Sequence, residues 1–141
     1  TADCMPVLLS SRQGVIGAVH AGRVGFLHGI LSHALDAFHC RGVQNKEISM
    51  LVGPCICGKC YEVSPQMRAE SAASCSAIAS QTSWGTEALD LPGAALQWAR
   101  ECGVSASWVG ECTLENPTYH SYRRSPECGR FASVIATCRH P

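Results

Sequence analysis

The hydrophobic positions in the first third of the chain alternate like strands and then change to helical spacing. Residues 7–10 and 15–20 are short apolar runs separated by the polar turn 11–14, a pattern that predicts a β-hairpin. From 24 to 40, apolar residues recur at intervals of three and four, which predicts a single helix. The apolar run 48–52 predicts a third strand.

The second half begins with a helix-start signal, Ser-Pro at 64–65. Serine suits the N-cap and proline the first helical position, so we predict a helix over 64–79. The polar stretch 80–87 predicts a loop, and Asp-Leu-Pro at 90–92 opens another helix that ends at Gly103. Residues 105–109 and 131–136 have strand composition.

The interleaved strands and helices predict an α/β fold. Hairpin and crossover connections together favour a three-layer α/β/α sandwich with a mixed sheet. A length of 141 residues suits one domain, and no repeat or linker divides it. The chain opens at Thr1 without a methionine and enters a strand almost at once. We therefore expect a single domain, 1–141, that is incomplete at its N-terminus.

Charge and hydropathy narrow the classes of partner. Eleven basic and eleven acidic residues give no formal net charge, so neither nucleic acid nor an anionic membrane is indicated as a partner. No apolar run approaches the roughly 20 residues that a membrane helix needs, and the start lacks a signal-peptide pattern.

Ten cysteines raise the question of redox compartment. They amount to about 7% of the chain, below the roughly 8–10% typical of disulfide scaffolds. Several lie in predicted helices, where a free cysteine behaves as a small hydrophobic residue. We expect reduced thiols and a cytoplasmic protein.

Cys4 and His20 are the first candidates for chemistry. Cys4 precedes one strand of the predicted hairpin and His20 ends the other, so the turn would return His20 close to Cys4. A thiolate and an imidazole are good zinc ligands, and they also form the nucleophile–base pair of cysteine hydrolases. A core thiol beside a hydrogen-bonded imidazole is the structural alternative. We expect the side chains within about 4 Å of each other or on one metal.

A second group of thiols, Cys55, Cys57 and Cys60, lies within six residues. Zinc there would need a fourth ligand such as Cys112 or His120. No second cysteine pair at knuckle spacing follows downstream, so we expect free thiols and no structural zinc.

A basic loop near the C-terminus carries Arg123, Arg124 and Arg130, shortly after Ser121. Guanidinium groups bind phosphate or carboxylate in bidentate fashion, so an anion site is one interpretation. A solvated basic loop is the other.

Taken together, these segments resemble the YfiH-like laccase-domain family. Residues 1–8 (T-A-D-C-M-P-V-L) are similar to its T-A-D-C-x-P-V-L motif, and His-Ala-Gly at 20–22 stands at its H-A-G-W-R-G. Further similar segments follow in order: G-P-C-I at 53–56, Y-E-V at 61–63, L-D-L at 89–91, C-G-V at 102–104, C-T at 112–113, S-Y-R-R at 121–124 and G-R at 129–130.

The resemblance implies a zinc-dependent purine nucleoside phosphorylase. The implied nucleoside substrates are adenosine, inosine, guanosine and methylthioadenosine, and phosphate is the implied co-substrate. Adenosine deamination is an implied side activity. In the family zinc is bound by one cysteine and two histidines. Cys4 matches the cysteine and His20 the second histidine, whereas the first histidine precedes the T-A-D-C motif. The implied substrate-binding residues are Arg23, Ser121, Arg123, Arg124 and Arg130.

The sequence departs from the family pattern in places, and alternatives stay open. Arg23-Val24 stand where the family has Trp-Arg, and Ser125 replaces an acidic residue. One alternative is a metal-independent hydrolase or deamidase with Cys4 as nucleophile and His20 as base. Another is an inactive fragment or binding module. A copper oxidase would need several histidines, and only His20 has a motif context.

Overall fold

A computed structural model of the chain describes residues 1–137. The elements in chain order are β1 (Met5–Ser11), β2 (Ile16–Ala21), α1 (Arg23–Leu27), α2 (Ile30–His39), β3 (Ile48–Val52), α3 (Pro65–Ser74), β4 (Ala79–Gln81), β5 (Glu87–Leu89), α4 (Leu91–Glu101) and β6 (Ser105–Trp108). None of the described helices is long and apolar enough to cross a membrane.

Four strands form the main sheet in the order β2-β1-β3-β6. β1 pairs antiparallel with β2 and with β3, whereas β3 pairs parallel with β6. The α/β class and the mixed sheet predicted from the sequence are thus confirmed. β4 and β5 form a separate two-stranded hairpin.

Helices α1, α2 and α4 pack on one face of the main sheet. Leu31 and Leu35 of α2 and Ala95 of α4 lie in the same buried cluster as Val7 and Val52 of the sheet. Alternate strand positions point to the second face, where Leu51 is 39% exposed and Ile16 is 37% exposed. Within residues 1–137 helices cover only the first face, so the described part forms two of the three expected layers.

The predicted helix starts at 64–65 and 90–92 are confirmed. The Ser64 hydroxyl accepts a hydrogen bond of 3.2 Å from the Met67 amide, with Pro65 in the first helical position. The Asp90 carboxylate accepts one of 3.0 Å from the Gly93 amide. Each side chain satisfies an amide that has no partner within the helix.

The prediction of one helix over 24–40 is wrong. The chain forms two helices, because Gly29 adopts a left-handed conformation with φ +78° between them. The three-and-four spacing of apolar residues continues through the break, so the sequence pattern does not reveal it. A glycine adopts this conformation at little steric cost.

Two boundaries in the middle of the chain also differ from expectation. The helix predicted to reach residue 79 ends at Ser74. Residues 80–87, predicted as a loop, contribute to the β4–β5 hairpin, which turns through Gly85 at φ +91°. The hairpin is built by local backbone pairing of polar residues, which hydrophobic alternation does not detect.

The strand predicted over 131–136 is not formed. The Phe131 amide donates a hydrogen bond of 3.0 Å to the Thr1 carbonyl, but no ladder continues from it. Val134 is 85% exposed, and Phe131 packs on the Tyr119 ring, with 5.5 Å between the ring centroids, outside the main hydrophobic core. A segment with strand-forming residues does not form a strand where no neighbouring strand pairs with it.

Candidate functional site

The side chains of Cys4 and His20 both lie beside Gly22. A β-carbon built on Gly22 would lie 2.9 Å from the Cys4 Sγ and 3.8 Å from the His20 Nε2, so both side chains border the same small space. The hairpin causes this arrangement, because Met5 pairs with Ala21 and Cys4 follows as the next residue outward. Within residues 1–137 no hydrogen bond joins the thiol to the imidazole.

This pair borders a cavity of about 580 Å³. That volume lies within the range of small-molecule sites, roughly 300–1,000 Å³. Its walls come from the N-terminal segment, the end of the β1–β2 hairpin, the loop after β3 and the C-terminal loop. The lining residues are Thr1, Ala2, Asp3, Cys4, His20, Gly22, Arg23, Ile56, Tyr61, Leu91, Tyr122, Arg123 and Arg130.

Asp3 holds these walls together. Its carboxylate accepts a hydrogen bond of 2.7 Å from the Thr113 hydroxyl and one of 2.8 Å from the Arg123 amide. Its carbonyl accepts one of 3.0 Å from the Ile56 amide. Asp3 has φ +85°, a left-handed conformation that non-glycine residues adopt rarely. The strained turn aims Cys4, the next residue, at the cavity.

Three arginines line the cavity: Arg23, Arg123 and Arg130. Arg123 lies over the Tyr61 ring, 4.9 Å from its centroid, and donates a hydrogen bond of 2.7 Å to the Glu62 carbonyl. Arg130 donates to the carbonyls of Cys128 and Gly129 at 2.7 and 2.9 Å. The three arginines give the lining of the cavity positive charge, which suits an anionic ligand.

The other two residues expected to bind substrate lie elsewhere. The Arg124 guanidinium donates to the carbonyls of Thr113, Leu114 and Tyr119 and does not line the cavity. Ser121 is fully buried, and its hydroxyl accepts a hydrogen bond of 3.2 Å from the Arg124 amide. Both side chains stabilise the conformation of the C-terminal loop, so we do not count them among the candidate ligand contacts.

Burial raises the pKa of the Cys4 thiol, and the Asp3 carboxylate raises it further. The positive charges of the Thr1 amino group and of Arg130 act in the opposite direction without reversing the shift. Burial likewise raises the pKa of Tyr61, against the lowering effect of Arg123 and Arg23. At neutral pH and without a cation, Cys4 is therefore a thiol and Tyr61 a neutral phenol.

The donor set at Gly22 fits zinc. A thiol and an imidazole share a space that any side chain on residue 22 would fill, and both are preferred zinc ligands. Among the described residues that line the cavity, Cys4 is the one cysteine, His20 the one histidine and Asp3 the one carboxylate. The Asp3 carboxylate already has two donors, which leaves Cys4 and His20 as the available pair.

Sequence reasoning missed the residues that build the cavity around this pair. Asp3, Tyr61, Thr113 and Tyr122 lie within the family motifs, but their residue types alone indicate no role for them. A signal for Asp3 was present, because aspartate favours turns and tolerates the left-handed conformation. Nothing in the linear sequence indicates that Thr113 is its partner.

Comparison with known proteins shows which family this chain resembles. The family model described as multi-copper polyphenol oxidoreductase laccase matches residues 1–138. The purine nucleoside phosphorylase ORF3 of Streptomyces griseus is 42% identical over 137 residues, which are 96% of this chain and 56% of that protein. A purine nucleoside phosphorylase of Mycobacterium tuberculosis is 39% identical, over 96% and 55% of the two chains. The chain thus spans about half the length of these curated relatives.

Solved structures agree with this placement. A Neisseria meningitidis protein superposes with a TM-score of 0.75 at 28% identity, over 88% of this chain and 52% of that one. YlmD from Geobacillus stearothermophilus superposes with a TM-score of 0.75 at 27% identity, over 88% and 50%. The Cys4–His20 cavity is therefore built on a shared fold, and the chain belongs to the YfiH-like laccase-domain family.

Proposed function

We propose that this chain forms the metal-binding and phosphate-binding part of a purine nucleoside phosphorylase. The substrates would be adenosine, inosine, guanosine or methylthioadenosine together with phosphate, with adenosine deamination as a side activity. The names of the curated relatives support this class of reaction. The observation that carries the proposal is that one cavity is lined by a cysteine, a histidine and three arginines.

The two halves of this cavity suit the two substrates. Arg23, Arg123 and Arg130 provide donors for a phosphate, which guanidinium groups bind in bidentate fashion. Ile56, Tyr61 and Leu91 line the cavity and give it an apolar wall against which a purine can lie out of water. Phosphorolysis needs both partners at once, because the phosphate attacks the ribose carbon that carries the base.

Cys4 and His20 would hold zinc, with a further ligand from outside the described lining residues. When bound, zinc supplies a Lewis acid that polarises an oxygen or a water. The guanidinium of Arg123 is held in place by the Glu62 carbonyl and the Tyr61 ring, so it orients phosphate without first having to be ordered. Tyr61 remains a neutral hydroxyl and a hydrogen-bond donor at neutral pH.

The hydrolase alternative requires Cys4 to be a thiolate activated by His20. The thiol and the imidazole form no hydrogen bond within the described structure, and burial raises the pKa of Cys4. Both features disfavour a nucleophile that acts without metal. A copper oxidase centre needs several histidine ligands, and His20 is the one histidine among the described residues that line the cavity, so this alternative is disfavoured.

The test is phosphate-dependent release of hypoxanthine from inosine. We would use a chimera in which the segment preceding the matching region of the Streptomyces griseus relative is joined to Thr1. Release should require both zinc and phosphate, and it should be lost in Cys4→Ser and His20→Ala. Cys40→Ser is the matched control, because Cys40 is exposed at the end of α2.

The reaction product decides between the alternatives. Ribose 1-phosphate supports the phosphorylase. Release that proceeds without phosphate or zinc, with covalent labelling of Cys4, would support the hydrolase instead.

A further inference from the structure

A second cluster of metal-binding side chains lies in the loop after β3. The Sγ atoms of Cys57, Cys60 and Cys112 and a carboxylate oxygen of Glu115 all lie within 4.8 Å of one another. In tetrahedral zinc sites with Zn–S distances of about 2.3 Å, sulfur atoms are about 3.8 Å apart. Small rotations of the side chains therefore bring these four donors to coordination distance.

Two short turns present the four side chains. Cys57 and Cys60 flank a tight turn in which the Cys57 carbonyl accepts hydrogen bonds from the amides of Cys60 and Tyr61, at 3.0 and 2.9 Å. Cys112 and Glu115 flank a second turn, closed by the Asn116 amide on the Cys112 carbonyl at 2.9 Å. Each turn supplies a pair of ligands three residues apart, which is the spacing of zinc knuckles.

The fold brings the two turns together. The Cys55 amide donates to the Glu111 carbonyl at 3.2 Å, and the Thr113 amide donates to the Cys55 carbonyl at 3.1 Å. This isolated parallel bridge pairs Cys55 with Cys112 and fixes Cys112 beside the first turn. The sequence-based expectation of no structural zinc depended on the absence of a second ligand pair, and the structure supplies that pair as Cys112 and Glu115.

The surroundings suit a closed structural site. Cys60 and Cys112 are buried in a small apolar cluster with Ile56, separate from the main core. The Cys57 amide points at the Cys112 Sγ, 3.4 Å away, a contact that stabilises a thiolate. Cys55 is also buried, but it lies outside the group of mutually close donors.

We propose that Cys57, Cys60, Cys112 and Glu115 bind a structural zinc ion. Three thiolates select a thiophilic metal, and zinc accepts the mixed sulfur and oxygen donors in a tetrahedron. The site shares no ligand with the Cys4–His20 pair. It would hold in place the loop that carries Ile56 and Tyr61, two walls of the cavity, so the metal would stabilise the candidate site without taking part in its chemistry.

The experiment measures zinc per chain by elemental analysis in a Cys4→Ser, His20→Ala background, which removes the other pair of ligands. We expect one zinc per chain after exhaustive dialysis. It should fall below about 0.2 in Cys60→Ser or Cys112→Ser, because a structural site seldom survives loss of a thiolate. Cys40→Ser and Cys75→Ser are matched controls outside the cluster and should keep the metal.

A second measurement covers the case in which the variants do not fold. The background chain is alkylated with and without a strong chelator, and the labelled cysteines are located by mass spectrometry. The proposal expects Cys57, Cys60 and Cys112 to be protected until zinc is removed. Labelling of these thiols that ignores the chelator, retention of zinc in Cys60→Ser, iron in place of zinc, or a Cys57–Cys112 disulfide would overturn it.

Discussion

The Thr113 hydroxyl donates a hydrogen bond of 2.7 Å to the Asp3 carboxylate, across 110 positions of the chain. Thr113 is fully buried, and the same carboxylate also accepts the Arg123 amide. One side chain thus joins the segment that carries Cys4 to the loop that carries Arg123. The position of Cys4 and His20 relative to Arg123 depends on it.

We predict that Asp3→Ala and Thr113→Val each lower the free energy of unfolding by about 1–3 kcal/mol, the usual cost of leaving a buried hydrogen-bonding group without its partner. Their effects should be less than additive in the double variant, because both remove the same bond. Urea denaturation of the four proteins measures this. Strict additivity would show that the two side chains act independently.

Gly22 leaves room for the Cys4–His20 pair. In Gly22→Ala the new β-carbon would lie 2.9 Å from the Cys4 Sγ and displace it, although the backbone of residue 22 (φ −79°, ψ 175°) accepts alanine. We expect the zinc concentration for half-maximal phosphorolysis by the chimera to rise at least about tenfold, with the free energy of unfolding changed by less than about 1 kcal/mol.

Gly25→Ala is the control for that measurement. Gly25 lies in α1, and a β-carbon there would have no neighbour closer than 3.7 Å, an ordinary contact. Its zinc requirement should match that of the unmodified chimera. An unchanged requirement in Gly22→Ala as well would mean that Cys4 and His20 do not share a metal.

Substitution of the adjacent Arg123 and Arg124 should affect different properties, phosphate binding in one case and stability in the other. Arg123 lines the cavity, so in the chimera Arg123→Gln should raise the KM for phosphate by about 10–100-fold, which corresponds to a charged hydrogen bond of about 1.5–3 kcal/mol. Arg124 binds three backbone carbonyls, so Arg124→Gln should lower the free energy of unfolding by about 1–2 kcal/mol and leave that KM unchanged. Phosphate kinetics and urea denaturation together check both; the reverse pattern would assign phosphate to Arg124.

The chain by itself should be nearly inactive as a nucleoside phosphorylase. With only Cys4 and His20 as protein ligands, zinc is bound weakly, since even the loss of a residue that supports a ligand costs about 10–100-fold. We expect hypoxanthine release at least about 100-fold slower than by the chimera at equal zinc. Equal turnover would mean that a further ligand within the chain suffices. His120 is the residue to substitute first, although in the structure it lies against Gly129.

Local signals in the sequence were sufficient at the two helix starts and at the first hairpin. Ser64 and Asp90 start their helices because each side chain satisfies an amide three residues away, and the β1–β2 hairpin follows from two apolar runs and a short turn. The same hairpin places the side chains of Cys4 and His20 beside Gly22, as the predicted turn requires, and their role as a metal-binding pair stays a prediction. The break at Gly29 was not found, because the apolar spacing that packs α1 and α2 continues unchanged across it.

Only the tertiary structure decided which distant residues act together. Arg123 and Arg124 are adjacent and chemically identical, yet one lines the cavity and the other binds carbonyls, because the path of the C-terminal loop is set by Asp3. The backbone bridge between Cys55 and Cys112 places Cys112 and Glu115, the second pair of proposed zinc ligands, beside the Cys57–Cys60 turn. Such contacts join residues far apart in the chain, and hydrophobic spacing and residue type carry no record of them. The sequence determined the chemistry available, and the packing of loops against the sheet determined where that chemistry converges.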